Sequence, residues 1–177
     1  MTHPLPDYTN TLVLIKEAPP SAILDGQLQR LNHVQMGLAT ETLELILARD
    51  RSNALEELGD LLWYLALGAD VLEVPQTELE TEVRFDAHTN HLTLDELSYY
   101  VEQFISQCKK QLIYGTDQIV NIKTTYYYVW RAFLHHCSAC NVTLEYLIEQ
   151  NTAKLNKRYS SSFSQEESES RPDKQEE

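Results

Sequence analysis

Two stretches decide how this chain reads: Gly37-Leu38-Ala39-Thr40-Glu41-Thr42-Leu43-Glu44-Leu45, and Leu55-Glu56-Glu57-Leu58-Gly59-Asp60-Leu61-Leu62-Trp63-Tyr64. Each holds two acids at i, i+3 spacing within a helical apolar pattern. Both acids of a pair therefore leave one helix face, about 60° apart. The short Arg49-Asp50-Arg51-Ser52 turn folds the two helices antiparallel and sets Glu41, Glu44, Glu57 and Asp60 against one another beside the apolar seam. Four carboxylates in a partly dry site repel, and without a cation they protonate or force the helices apart. An oxygen-only donor set of high charge suits a hard divalent ion such as Mg²⁺ or Mn²⁺.

The helical pattern extends outward from these stretches. Leu28, Leu31, Val34, Leu38, Leu45 and Ile46 form a stripe over residues 24–48. Asn53 with Glu56 has the form of a capping box opening the next helix, which runs to about Leu72 before Pro75. Thr93 and Glu96 repeat that signature and open a third helix over 94–113, ended by Gly115. A fourth covers about 118–139 and a fifth runs from Thr143 to Tyr159. The pattern predicts an all-α fold, a helical bundle of about five helices occupying residues 25–159. Residues 1–24, with Pro4, Pro6, Pro19 and Pro20, read as an extended N-terminal arm or brief strand. Residues 160–177, rich in Ser and Glu, read as a disordered acidic tail that the chemistry can dispense with.

The 177 residues suit one domain with a real core. Lys and Arg total 14 against 27 Asp and Glu, a net charge of −13. That excess excludes the electrostatic footprint of a nucleic-acid or anionic-membrane binder, so an anionic substrate needs metal and a few local cations. With no signal-peptide pattern or long apolar span, the expected location is cytoplasmic (host cytoplasm if phage-encoded). Three cysteines argue against a disulfide framework.

Glu41-x-x-Glu44, twelve residues, then Glu57-x-x-Asp60 resembles the MazG-type, all-α nucleoside triphosphate pyrophosphatases, a superfamily that includes the dimeric dUTPases. The similarity reaches back through Arg30-Leu31-Asn32-His33 and Gly37-Leu38. It reaches forward to Asn151-Thr152-Ala153-Lys154-Leu155-Asn156-Lys157-Arg158-Tyr159, which is similar to the closing motif of phage and bacterial members. The chain departs from the usual pattern at Thr42-Leu43, where a small pair such as Ala-Gly is common. The resemblance implies hydrolysis of a (d)NTP to (d)NMP and pyrophosphate with Mg²⁺ or Mn²⁺, two or more ions per site, in a homodimer or homotetramer. The phage-like ending makes guanine nucleotides the leading substrates.

On that basis Glu41, Glu44, Glu57 and Asp60 are the expected metal ligands, with Glu41 or Glu44 as general base. Lys154 and Arg158 are placed to clamp phosphate oxygens, Arg bidentately, and Asn151 shares their helix face. Tyr64, one turn after Asp60, is placed to line the nucleotide pocket, while Trp63 reads as core. Lys109 and Lys110 read as a solvated face, and His33 as a core histidine. The His135-His136-Cys137-Ser138-Ala139-Cys140 run lacks the second ligand pair that a zinc site requires. Two rivals remain on the sequence: a non-catalytic nucleotide-binding or interaction protein on the same fold, and a carboxylate-bridged di-iron bundle. The latter uses Glu-x-x-His pairs, which neither acid motif supplies. The residues over 58–72, apolar around most of the circumference, predict that another subunit covers this helix.

Overall fold

The computed structural model describes residues 4–17, 26–75, 79 and 93–174, and among them every regular element is helical. The elements are α1 (Pro4–Tyr8), a π-helical turn (Thr9–Val13), α2 (Leu14–Lys16), α3 (Gly26–Ile46), α4 (Arg51–Val71), α5 (Thr93–Tyr114), α6 (Ile119–Ala139), α7 (Leu144–Arg158), α8 (Gln165–Ser170) and a closing 3₁₀ turn (Pro172–Lys174). Two helical hairpins, α3–α4 and α5–α6, form the bundle. They meet chiefly through α3 and α5, and α7 lies on α4.

Local chemistry sets the boundaries. Asp50, rather than Asn53, caps α4: its side chain accepts from the Asn53 backbone N–H (2.9 Å), so Arg51 and Ser52 are already helical. Asn53 instead donates from Nδ2 to Glu57 Oε1. Thr143, where the sequence started this helix, is the cap of α7 and accepts from the Tyr146 N–H at 3.2 Å. Gly115, at φ +66°, ends α5 in the left-handed region that favours glycine.

Residues 4–16 are helical, not the extended arm or strand expected. Prolines 4 and 6 fall in the first turn, where their missing N–H groups would have had no intrahelical partner anyway. The run that read as a strand puts Leu5, Tyr8, Leu12 and Val13 at helical spacing, and all four are buried in the core. Pro19 and Pro20 lie outside the described residues.

The apolar circumference of α4 is covered within the chain. Leu58, Leu61, Leu62, Leu65, Ala66, Leu67 and Ala69 are all buried, enclosed by α3, the N-terminal arm, α6 and α7. The argument that α4 itself demands a second subunit therefore fails, because the arm supplies cover that the sequence assigned to a partner. At Gly68, α4 comes close to Tyr126 of α6 and to Val34 of its own hairpin. A Cβ there would lie 2.8 Å from Tyr126 Cε2 and 3.1 Å from Val34 Cγ1. The Tyr126 hydroxyl donates to the Leu65 carbonyl one turn away.

The tail also differs from its expectation. Ser164 caps α8 by accepting from the Glu167 N–H (3.3 Å), and Asp173 is tied to Arg158. Few apolar atoms are needed for that order, because hydrogen bonds and ion pairs hold the segment to α7. Residues 175–177 lie outside the described residues. No described helix is long and apolar enough to cross a membrane.

Candidate functional site

The α3–α4 hairpin brings three of the four acids together. Glu41, Glu44 and Glu57 each offer a carboxylate oxygen, and these oxygens lie within 4.8 Å of one another. Burial pushes the Glu41 carboxyl up to about 7, helped by the negative charges of Asp60, Glu44 and Glu57. Glu57 is likewise pushed up to about 7, first by burial and then by Asp60, Glu44 and Glu56. The repulsion expected from the sequence is therefore present, and the protein answers it by favouring the protonated forms. The donor set fits a hard divalent cation: three carboxylates from two helices, with no nitrogen or sulfur donor among them.

Asp60 stands slightly apart. Lys154 forms an ion pair with its carboxylate, and Asn151 Nδ2 donates to Asp60 Oδ1 at 2.9 Å. The ammonium of Lys154 thus sits where the sequence placed a phosphate or metal neighbour, and it also approaches Glu56 at 3.5 Å. Burial opposes the Glu56 charge, but Lys174 and Lys154 outweigh it and lower its pKa. Asn151, expected on substrate, is 2% exposed and has both ends of its amide engaged: its Oδ1 accepts from the Tyr8 hydroxyl at 2.7 Å.

Beside the acids lies a cavity of about 380 Å³. Glu41 and Asp60 stand on its acidic wall, Tyr64, Trp63 and Tyr159 on its aromatic one, and Lys16 and Arg158 supply its cations. Tyr64 lines this cavity one turn after Asp60. Gly37 makes room for it, since a Cβ there would fall 2.1 Å from Tyr64 Cε1. His33 packs edge-on against Trp63 (5.7 Å between centroids) and Tyr64 (5.3 Å), and burial lowers its pKa, so it presents a neutral ring. Trp63 is buried in the core as expected and also borders the cavity; among the described residues its indole N–H has no hydrogen-bond partner. Thr42 is buried, and among the described residues its hydroxyl has no hydrogen-bond partner, while Leu43 faces outward.

Arg158 lines the cavity, but its guanidinium is engaged by Asp173 through Nε (2.8 Å) and Nη2 (2.7 Å). These bonds hold the Asp173 carboxyl down at about 2. Burial opposes the Arg158 charge, yet the same pair raises its pKa above the usual value. Lys16 is 7% exposed and donates to the carbonyls of Tyr159 (3.0 Å) and Ser161. Sequence reasoning missed Lys16 and Tyr8 because it gave the arm no helical period. Read at 3.6 residues per turn, the spacing of Leu5, Tyr8, Leu12 and Lys16 was the signal available.

No protein-family model, curated protein or solved structure matches this chain. The site therefore has to be judged on its own chemistry.

The discounted features stay out of it. Lys109 and Lys110 are exposed: Lys109 lies over the Tyr114 ring (5.8 Å) and Lys110 reaches Gln107. Cys108, Cys137 and Cys140 are free thiols, and His135 Nδ1 lies 3.3 Å from Glu96.

The raised glutamates carry a pH consequence. Their usual value is 4.5 and their folded value about 7, so between those limits the folded state binds more protons than the unfolded one. Stability from these groups is full below about pH 4.5 and is lost as pH rises through about 7. In EDTA, the melting temperature should thus be higher at pH 5.5 than at pH 8, and adding Mn²⁺ at pH 8 should restore it. A metal-free melting temperature that rises steadily from pH 5.5 to 8 would show that the acids do not strain one another.

Proposed function

We propose that this chain is a divalent-metal-dependent (d)NTP pyrophosphohydrolase, cleaving between the α- and β-phosphates to give (d)NMP and pyrophosphate. The observation that carries the reading is the convergence of Glu41, Glu44 and Glu57 from two helices beside a cavity with aromatic and cationic walls.

Glu41, Glu44 and Glu57 would hold Mg²⁺ or Mn²⁺, with Asp60 joining as Lys154 turns toward phosphate. The ion supplies charge neutralisation on the phosphate oxygens and makes water easier to deprotonate. Of the two candidates for general base, Glu41 is favoured over Glu44. It lines the cavity, whereas Glu44 does not. Lys154, Lys16 and Arg158 orient the polyphosphate, Arg158 once Asp173 has been displaced. Tyr64 and Trp63 offer flat apolar area for a base. Guanine nucleotides remain the leading substrates on the phage-like ending of the sequence.

We place the protein in a homodimer or homotetramer, supported by Met36 and Leu43 on one side of α3 and Leu47 just past its end, each more than half exposed. The test is pyrophosphate release from a panel of NTPs and dNTPs with and without EDTA, with products separated by chromatography. Pyrophosphate and monophosphate, lost on chelation, are expected. A nucleoside diphosphate intermediate would overturn the assigned bond. Light scattering on the same sample should give about 41 kDa or more, twice the 20.4 kDa chain, and a fully active monomer would remove the oligomer.

A further inference from the structure

We infer that Tyr8, in the N-terminal helical arm, is a positioning residue for Asp60, acting through the side-chain amide of Asn151. The inference rests on the reading of the acids as a cation site and adds a residue far away in sequence.

Hydrogen-bond valence forces the order of the chain. An ionised Asp60 carboxylate can only accept, so Asn151 must present its NH₂ group to it, as the 2.9 Å bond shows. The Asn151 carbonyl oxygen then faces the other way, where only a donor satisfies it. Tyr8 is that donor, at 2.7 Å, and burial with the nearby Asp60 charge holds its phenol far above its usual pKa, so the proton stays on the hydroxyl. Tyr8 is 3% exposed and Asn151 2%, so water cannot easily replace either partner. Asn151 also packs directly on the α4 backbone just before Asp60, its side chain 3.4 Å from where a Cβ on Gly59 would stand, an ordinary van der Waals distance. The phenol fixes which way the amide points, and the amide fixes one oxygen of Asp60. Rotation of that carboxylate is thereby limited to the side that faces Lys154 and the glutamates.

The Tyr8→Phe variant removes one oxygen and keeps the ring that fills the core. It leaves the Asn151 oxygen buried without a donor, so the amide is free to turn and Asp60 loses its anchor. Isothermal titration of metal-depleted protein with Mn²⁺, well below the melting temperature, is the test. Tyr8→Phe should weaken Mn²⁺ roughly tenfold, as outer partners of a ligand commonly do. Asn151→Ala should do the same, and the double variant should be no weaker than Asn151→Ala alone. Asn151→Ala carries the test from the other end of the bond if Tyr8→Phe folds poorly.

A lower melting temperature with unchanged Mn²⁺ affinity would reduce Tyr8 to a core residue and overturn the inference. Losses that add in the double variant would do so as well. Failure of the pyrophosphohydrolase reading has a different signature: Tyr8→Phe weakens Mn²⁺ while wild type binds it and releases no pyrophosphate from any nucleotide. That result sustains the positioning role and removes only the reaction. A wild-type protein that binds no Mn²⁺ overturns both.

Discussion

Glu57→Gln and Asp60→Asn should each retain less than a tenth of wild-type (d)NTP turnover, yet shift stability in opposite directions. The shared loss follows from removing a carboxylate from the proposed cation site. A tenfold loss corresponds to about 1.4 kcal/mol of barrier. The opposite signs follow from the neighbours. Glu57 sits among Glu41 and Glu44 and is pushed toward its neutral form, so an isosteric amide relieves repulsion and still accepts from Asn53. Metal-free Glu57→Gln should melt higher than wild type at pH 8. Asp60 instead neutralises Lys154. Its amide leaves that ammonium with Glu56 alone, at 3.5 Å, and the variant should melt lower. Activity assays and thermal melts in EDTA read both effects. More than a tenth of activity in either variant would remove that residue from the ligand set.

Deleting residues 165–177 should lower KM for the triphosphate about tenfold while kcat stays within about threefold. Asp173→Ala should reproduce most of the effect. The Arg158 guanidinium makes a two-pronged bond to a carboxylate that is only 3% exposed, so a phosphate oxygen must displace an anion already seated there. A factor of ten is about 1.4 kcal/mol, at the low end of a hydrogen bond to a charged group. Deletion also strips Glu166, Glu167, Glu169, Asp173, Glu176 and Glu177, whose charge repels a polyphosphate. Titration with inorganic tripolyphosphate should show the same gain without turnover. An unchanged or higher KM would mean that the segment closes over substrate, with Ser168 as its wall of the cavity.

The bundle was legible because α3, α4, α5, α6 and α7 have long apolar periods and strong end signals. Their expected limits agree with the structure to within about three residues, the largest gap being at the start of α4. Glu41, Glu44 and Glu57 were legible for a related reason: i, i+3 spacing and a short turn leave few ways to avoid juxtaposition. The arm was hidden because Pro4 and Pro6 are read as breakers unless they fall in a first turn, and only the fold shows that they do. The tail was hidden because its order rests on charge pairing with Arg158 and Glu56, which lie outside the segment itself. Asn151 and Lys154 were placed on the right face, but spacing along α7 could not reveal that Asp60 already holds both.

The close approach at Gly68 sets how the length of this chain can change. Tyr126 lies against that glycine and bonds the Leu65 carbonyl, so the second hairpin is pinned to α4 at one height. Asp60 is eight residues earlier on the same helix, about 12 Å away along the axis. Deleting one residue between them would turn the acids by about 100° relative to that pin and draw them about 1.5 Å closer to it. No side-chain adjustment recovers such a rotation, whereas a substitution in the same stretch changes only local packing. Lineages descended from this chain should therefore accept apolar exchanges at the buried leucines between 60 and 68 far more readily than any change of length there, and insertions and deletions should gather in the connections between helices.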